Sequence, residues 1–340
     1  MADRKLGKQT VYFENGPFVA GGAAVVGRKE GEGPLSEWFD FRLKDDRYGE
    51  KTWEKAESKM LKEAMMLAMK KTGREKSDID LVLSGDLLNQ IMSSSFMARD
   101  LQLPFLGLYG ACSTMTESLL LGAMLTKGGF AHNIVVGASS HFCTAERQFR
   151  MPVEHGNQRP PSAQWTATAA GAMVLSEKRS SIRVDCGTIG KVIDAGVKDA
   201  NQMGSAMAPA AVDTILHHFA DTGRSFADYD LVLTGDLGFV GKAIAADLLI
   251  DAGMDAGLVK SRYDDCGAML YDRERQDVHS GGSGCGCSAA VFSGYILKRL
   301  QQGDLNRVLL LSTGAMLSTI SPFQGESIPG IAHGVVLEVC

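Results

Sequence analysis

The first long segment with a regular hydrophobic period is helical. Between residues 52 and 71, apolar side chains recur at every third or fourth position, which predicts an amphipathic helix that ends near Gly73. A continuous apolar run follows at 79–83 and predicts a buried strand. Residues 18–26 predict another strand, whereas the charged and glycine-rich stretch 27–46 predicts a loop.

The same order of elements occurs twice along the chain. Asp78–Leu87 recurs as Asp228–Leu237, at an offset of 150 without gaps and with eight of ten positions identical. A helical pattern precedes each copy, at 52–71 and at 211–222. Repeated units of alternating helices and strands predict parallel strands with helices on both faces of the sheet.

A second pair of segments repeats more loosely. Gly110-Ala-Cys-Ser113 and Gly286-Cys-Ser-Ala289 each begin a helical pattern that is followed by an apolar strand pattern. The chain is therefore predicted to be a duplication, with an N-terminal half at 1–180 and a C-terminal half at 181–340.

Composition and charge exclude several classes of protein. The chain has 340 residues, 45% hydrophobic and 22% charged, which is ordinary for a globular protein. A net charge of −5 argues against a basic nucleic-acid-binding face. We expect neither a transmembrane segment nor a signal peptide, because no apolar run is long enough. Seven scattered cysteines argue against a disulfide framework and for a reducing compartment.

Cys112 is the first candidate for chemistry. It lies between a strand-like run at 103–108 and a helical run at 115–125, so its sulfur should be close to a helix N-terminus. The helix dipole at such a position lowers a thiol pKa and favours the thiolate. Two interpretations remain open at this point: a nucleophile or anion-facing group, and a small buried residue under a turn.

These features resemble the thiolase and ketoacyl synthase superfamily. The nucleophilic cysteine of those enzymes begins the central helix of the first half, as Cys112 does here. Thr168–Leu175 resembles their glycine- and alanine-rich strand, and Gly281–Ser288 resembles their glycine-rich segment near the C-terminus. The resemblance implies a duplicated α/β fold of two five-stranded mixed sheets with helices in layers.

Within that superfamily the sequence resembles the stage V sporulation protein AD family of endospore-forming bacteria. The resemblance extends from end to end. It is carried by five segments: Gly85–Gln90, Phe105–Thr114, Thr144–Arg150, Met203–Ala211 and Ile328–Gly334.

The resemblance implies a role in sporulation and germination rather than in metabolism. It implies that the chain binds dipicolinic acid, as the calcium complex, during uptake into the developing spore. It further implies a peripheral position on the spore inner membrane, integral membrane subunits of the same transport system as partners, and a homodimer as a possible state. No nucleic acid partner is expected.

The superfamily's catalytic partners look absent, so we predict that the chain is not an enzyme. The cysteine of these enzymes needs His and Asn, or two His, to activate it and to stabilise an oxyanion. Asp236 stands at about the place of one histidine, and Gly284-Cys285-Gly286 offers neither His nor Asn, although His279 lies upstream. A carboxylate near Cys112 would raise its thiol pKa. The alternative is an acyl transferase of the condensing type with Cys112 as nucleophile.

The predicted ligand site lies at the carboxyl ends of the strands, where open α/β sheets bind ligands. Asp86 and Asp236 occupy equivalent turns of the two halves and would repel a dianion unless calcium lay between them. Alternatively, both carboxylates cap the helices that follow. The complete predicted set is Cys112, Asp86, Ser113, Ser139, Ser140, His141, Asp236, Gly282 and Cys285.

Other polar residues have simpler explanations. Arg147 and Arg150 could clamp a carboxylate, but an exposed, solvated pair is the alternative. His217 and His218 are predicted to lie at the surface. Cys285 and Cys287 have no second pair at ligand spacing, so no zinc site is predicted. We predict no cofactor and no metal site of the protein's own.

Overall fold

The structure, a computed structural model, describes residues 4–149 and 159–340. Its strands are β1 (Arg4–Leu6), β2 (Thr10–Tyr12), β3 (Phe18–Val26), β4 (Phe41–Arg42), β5 (Leu81–Gly85), β6 (Phe105–Gly107), β7 (Asn133–Ser140), β8 (Trp165–Thr166), β9 (Ala169–Ser176), β10 (Ile182–Thr188), β11 (Leu231–Thr234), β12 (Tyr263–Asp265), β13 (Gly282–Ser283), β14 (Arg307–Ala315) and β15 (Gly330–Val339).

Helices alternate with these strands, as the sequence predicts. They are α1 (Arg28–Gly31), α2 (Trp53–Lys71), α3 (Met92–Leu101), α4 (Thr114–Lys127), α5 (Phe142–Phe149), α6 (Met203–Thr222), α7 (Gly238–Asp251), α8 (Ala256–Arg262), α9 (Cys266–Met269), α10 (Cys285–Ala290) and α11 (Leu297–Gln301), with a π-helical turn at Val291–Ile296 between the last two.

Two groups of five strands have the same topology. Their orders are β3-β9-β7-β5-β6 and β10-β15-β14-β11-β12. In each group the first two pairings are antiparallel and the last two are parallel. Phe18 of β3 pairs with Arg183 of β10, so the two groups form one continuous sheet rather than the two separate sheets we expected.

Helices α4 and α10 lie between the two groups of strands. Helix α4 packs on β5 and β7 of the first group and on β14 and β15 of the second. Helices α2 and α3 cover the outer face of the first group, and α6 and α7 cover that of the second. This layered, duplicated α/β arrangement confirms the thiolase-like fold class. Division into halves at residue 180 stays a prediction, because one hydrophobic cluster includes side chains from both halves.

The repeat seen in the sequence is also a repeat of hydrogen bonds. Asp80 accepts the backbone N–H groups of His132 and Asn133, where β7 begins. Its counterpart Asp230 accepts those of Asn306 and Arg307, where β14 begins. The repeated aspartate therefore fixes the start of the neighbouring parallel strand in each half.

Two sequence expectations are wrong in detail. Helix α6 begins at Met203, eight residues before the predicted start, although Pro209 lies inside it. Its first turn packs closely on α7, where a Cβ at Gly204 would lie 3.2 Å from the backbone nitrogen of Gly241. His218 is fully buried, not at the surface, and its ring nitrogens bond to Thr188 and to the Tyr229 hydroxyl.

A buried glutamate within residues 27–46 joins the two halves. The prediction of a loop for this stretch is wrong in part, because it contains α1, a 3-10 turn at Ser36–Trp38 and β4. Glu30 of α1 is inaccessible to solvent, and its carboxylate accepts the hydroxyl of Tyr271, from the C-terminal half, at 2.5 Å. It also accepts the backbone N–H of Thr168. Burial raises the pKa of Glu30 to about 7, although these hydrogen bonds act in the opposite direction.

Glu30→Gln should flatten part of the pH dependence of stability. Between about pH 4.5 and pH 7 the folded state holds this proton more tightly than the unfolded state does. The free energy of unfolding of the native protein therefore falls as pH rises, by up to about 3 kcal/mol from this residue. Urea unfolding of both proteins at pH 5 and pH 8 measures the difference. If the free energies of unfolding of the two proteins changed equally between pH 5 and pH 8, the raised pKa of Glu30 would be contradicted.

Gly171→Ala should destabilise the fold, because the contact between β9 and α10 has no room for a side chain. A Cβ at Gly171 would lie 2.0 Å from the carbonyl oxygen of Ala289. We expect a loss of about 1–3 kcal/mol in the free energy of unfolding. The control is Gly257→Ala in α8, whose Cβ would meet only the Asp255 side chain at 3.2 Å and should be neutral or stabilising. Equal effects of the two changes would refute the packing argument.

Candidate functional site

Cys112 lies on a strained turn between β6 and α4. The residue before it, Ala111, has φ +50°, in the left-handed region that residues with a side chain seldom adopt. Two hydroxyls hold the turn: Ser113 Oγ donates to the Gly110 carbonyl at 2.6 Å, and Thr114 Oγ1 donates to the Ala111 carbonyl at 2.7 Å. Such strain is most often found at functional sites.

The turn opens into a narrow pocket with a mainly apolar lining. Its volume is about 40 Å³, which is little more than the space of one water molecule. Both halves of the duplication contribute to it. The lining residues are Leu87, Tyr109, Ala111, Cys112, Ala145, Phe149, Thr166, Ala200, Met203, Ser283, Ala315 and Leu317.

The thiol of Cys112 is held in its protonated form. Burial raises the pKa of Cys112, and the nearby carboxyl group of Asp236 raises it further. Backbone N–H groups of Gly284 and of Cys112 itself act in the opposite direction but are outweighed. Gly284 has φ +98°, and a Cβ there would lie 2.6 Å from Ser140 Oγ, so glycine is required where this N–H approaches the sulfur.

Asp86 acts as a cap. Its buried carboxylate accepts the backbone N–H of Leu88 at 2.9 Å and that of Ser94, in α3, at 2.7 Å. Burial raises its pKa despite these bonds. Of the two interpretations given to the equivalent aspartates, capping therefore describes Asp86.

Asp236 has a different role from its counterpart. The cap of α7 is Asp265, whose carboxylate accepts the N–H groups of Leu237 and Gly238. Asp236 instead turns towards Ser288 of α10 and the N–H of Thr313, while its Oδ1 is buried without a hydrogen-bond partner among the described residues. Burial raises the pKa of Asp236 well above its usual range.

The polar side chains at the end of β7 form hydrogen bonds with other residues of the protein. Ser139 Oγ donates to the buried carboxylate of Glu57, and Ser140 Oγ donates to the Ala167 carbonyl. His141 Nε2 lies 2.8 Å from the Asp46 carbonyl oxygen, and its Nδ1 accepts the N–H of Cys143.

Other predicted residues support the pocket without lining it. Cys285 donates its S–H to the Ser139 carbonyl at 2.9 Å, and Gly282 pairs with Trp165 between β13 and β8. Ser113 holds the Cys112 turn. Of the nine predicted site residues, Cys112 is the one that lines the pocket in the described part of the chain.

Two glycines that adjoin Asp236 and Cys285 in the sequence have no room for a side chain. A Cβ at Gly235, beside Asp236, would lie 2.9 Å from Ser288 Cβ and 2.9 Å from Ser312 Cα. A Cβ at Gly286 would lie 2.2 Å from the Ala169 carbonyl oxygen. His279 is half exposed and pairs with Asp277, and no histidine lines the pocket within 4–149 and 159–340.

The predicted arginine clamp has no support at Arg147. Its guanidinium pairs with Glu54 at 2.9 Å and lies over the ring of Trp53. Arg150 lies outside the described residues.

Sequence reasoning missed the residue with the strongest sign of a ligand contact. The hydroxyl of Ser283 lines the pocket, is buried, and has no hydrogen-bond partner among the residues described. It lies in the glycine-rich segment, one residue after the predicted Gly282, so the segment was recognised but not the residue. The apolar lining from Met203 and Leu317 had no local signal, because folding alone brings these residues to Cys112.

No helix in the described ranges is both long and apolar enough to cross a bilayer.

The sequence model of the stage V sporulation protein AD family matches residues 7–338. The stage V sporulation protein AD of Bacillus subtilis strain 168 is 47% identical over 332 residues, which cover 98% of this chain and 97% of that protein.

Solved structures with the same fold are condensing enzymes. The 3-oxoacyl-[acyl-carrier-protein] synthase III of Aquifex aeolicus aligns with a TM-score of 0.58 and 11% identity, covering 95% of this chain and all (100%) of that one. The E117D variant of Xanthomonas campestris OleA aligns with a TM-score of 0.63 and 14% identity, covering 96% of this chain and 97% of that one. At such low identity the likeness shows the fold alone.

Cys112 should react slowly with iodoacetamide at neutral pH. Its raised pKa leaves little thiolate, and alkylation requires the thiolate. Peptide mass spectrometry during a time course compares Cys112 with the exposed Cys340 of the same molecule. We expect Cys112 to be at least about tenfold slower, since each unit of pKa changes the thiolate fraction about tenfold. Faster labelling of Cys112 than of Cys340 would contradict the protonated thiol.

Proposed function

The chain belongs to the stage V sporulation protein AD family, and we propose that it binds dipicolinate in the Cys112 pocket without transforming it. Family membership gives the protein a role in sporulation. The proposed role is that of the peripheral subunit of a transport assembly on the spore inner membrane. Integral subunits would receive the ligand, and calcium would accompany it as counter-ion. A homodimer stays a prediction.

One observation carries the non-enzymatic part of the proposal. Burial raises the pKa of the Cys112 thiol, no histidine lines the pocket within the described residues, and side chains at Gly235 and Gly286 would clash with neighbouring atoms. Without a base the thiol is a poor nucleophile. What the site retains is a shaped pocket with a few polar groups, which is the ordinary form of a small-molecule binding site.

The polar groups at the pocket favour an anionic ligand. The Ser283 hydroxyl is an unused donor. Burial raises the pKa of Tyr109 to about 12, so its phenol also remains a donor. Asp236 is not a lining residue, and the raised pKa of its buried carboxyl group reduces its repulsion of a bound carboxylate. The planar pyridine ring would lie against the apolar lining.

The pocket must widen to admit this ligand. A volume of about 40 Å³ is far below the hundreds of Å³ of typical ligand pockets. The side chains that can move are Phe149, Met203 and Leu317, because each lies at the end of an element or beyond it. Ligand binding therefore selects an open form of the pocket.

The second candidate function is acyl transfer through Cys112. Its position before the N-terminus of α4, on the strained turn at Ala111, is where a nucleophile would lie in this fold. An acyltransferase would label Cys112 with acyl-coenzyme A, whereas a binding protein would not.

Calorimetric titration with dipicolinate, with and without Ca²⁺, tests the proposal. Wild-type protein should bind saturably. Ser283→Ala should weaken binding about tenfold or more, because it removes a hydrogen bond to a charged group. The matched control is Ser293→Ala, since the Ser293 hydroxyl is also buried without a described partner but does not line the pocket. Cys112→Ala should also weaken binding.

The possible outcomes separate the two functions. Equal affinities of the Ser283→Ala and Ser293→Ala variants would remove the ligand from this pocket. Absence of binding together with acylation of Cys112 by acyl-coenzyme A would replace the proposal with the acyl transferase.

A further inference from the structure

The loop after β14 exposes large apolar side chains to solvent. We call Met316–Gln324 the tip loop. The exposed fractions are 39% for Met316, 59% for Ile320 and 82% for Phe323. No charged residue occurs between Arg307 and Glu326, so the loop has no ionic group of its own. Exposed apolar groups in such a cluster indicate an interaction site.

The backbone of the tip loop satisfies many of its own hydrogen bonds. Ser318 Oγ accepts the N–H groups of Ile320 and Ser321, and Ser321 Oγ accepts that of Ser318. The N–H groups of Gln324 and Gly325 bond to carbonyls of the same loop. Self-contained backbone bonding is what a hydrocarbon environment requires, because lipid offers no partners.

A groove with lysines borders the same face. The chain from residue 189 to residue 198 runs beside the end of the loop, through the Ile193–Gly330 bridge and the bond from Ser327 to Asp194. Ile189 and Val192 are 44% and 52% exposed on it.

Basic side chains line this groove. Lys5, Lys8 and Lys191 surround it together with Ile189. Lys191 also pairs with Asp213 at 3.1 Å, and the carboxylate of Asp221 accepts the backbone N–H groups of Lys8 and Gln9. The three lysines outnumber these two carboxylates, so the groove keeps a net positive charge. Lysines beside exposed aliphatic groups are typical of surfaces that contact anionic headgroups.

The tip loop is continuous with the candidate pocket. Ala315, the last residue of β14, and Leu317 within the loop both line it. A contact that holds the loop therefore acts on one wall of the pocket. The opposite end of the molecule is marked by Phe130, which follows the far end of α4, about 20 Å along the helix axis from Cys112.

We propose that the tip loop inserts Ile320 and Phe323 into the headgroup–acyl boundary of a bilayer that contains anionic lipid. The lysine groove then lies against the headgroups. The lack of charge in the loop and the lysines of the bordering groove favour a surface of anionic lipid over a second copy of this chain or an apolar groove on another protein. This orientation turns the mouth of the ligand pocket towards the membrane, and its meaning rests on the proposed function.

Flotation of the full chain with phospholipid vesicles tests the surface directly. The probes are phosphatidylcholine vesicles with and without phosphatidylglycerol. Phe323→Ser should lower the partition coefficient of the protein into vesicles about tenfold or more, since it removes an aromatic side chain that the bilayer would bury. The matched control is Phe130→Ser, because Phe130 is 81% exposed and Phe323 82%. Removing phosphatidylglycerol, or raising the salt concentration, should also weaken binding.

Quenching of tryptophan fluorescence measures how deeply the tip loop inserts into the bilayer. Phe323→Trp should be quenched by brominated phospholipid, whereas Phe130→Trp should not, each relative to the quenching of the three native tryptophans.

Three results would overturn the proposal: no vesicle binding by the wild type, equal loss in the Phe323 and Phe130 variants, or a Phe323→Ser variant that binds like the wild type. A change in sedimentation equilibrium without a change in vesicle binding would assign the loop to a second copy instead. Dipicolinate titration of Phe323→Ser keeps the two proposals separate. Loss of vesicle binding with intact dipicolinate affinity supports the surface, and vesicle binding in a protein that never binds dipicolinate refutes only the proposed function.

Discussion

The close packing of α4 and α10 between the two groups of strands is the constraint on which the site depends. At Gly171 the backbone of β9 lies against the backbone of α10, so the two layers meet without an intervening side chain. This contact excludes water from the layer in which Cys112, Cys285 and Asp236 lie. A thiol or carboxyl group in such a layer is stabilised in its neutral form, because burial penalises the charged form more than a few backbone donors can offset.

The same packing surrounds Cys112 with buried groups that raise the pKa of its thiol. In a buried layer with a low dielectric constant, a thiolate and a protonated histidine attract each other more strongly than they do in water. At Gly235 and Gly286, neighbouring backbone and serine atoms fill the space that a larger side chain would need. Asp236 lies near the sulfur and adds no positive charge that would stabilise a thiolate. Cys112 therefore lies just before the N-terminus of α4 in surroundings that raise the pKa of its thiol.

Duplication explains why the pocket lies where two equivalent ends meet, and divergence explains why its two sides differ. Asp80 and Asp230 keep one structural role in both halves, since each fixes the start of a parallel strand. Asp86 and Asp236 have different roles. Asp86 accepts backbone N–H groups of the turn that follows it, whereas in the second half Asp265 accepts the corresponding N–H groups. The carboxyl group of Asp236 lies instead near Ser288 and the N–H of Thr313. The loop after β14 adds a feature with no counterpart in the sequence repeat, a wall of the pocket that also projects apolar groups outward.

The sequence by itself determined the duplication, the fold class, the order of helices and strands and the prominence of Cys112, because periodicity, the 150-residue repeat and the Gly-Ala-Cys turn are local signals. It also indicated that Asp236 would oppose activation of the thiol. Tertiary structure alone decided which polar groups face the pocket. His141, Ser139 and Ser140 end the right strand but are consumed by backbone carbonyls and by Glu57, whereas Ser283 is left without a partner. It also decided that Leu317 and Met203, more than a hundred residues apart, share one wall with Cys112. Hydrogen-bond competition and packing between distant segments leave no periodic trace in a single sequence.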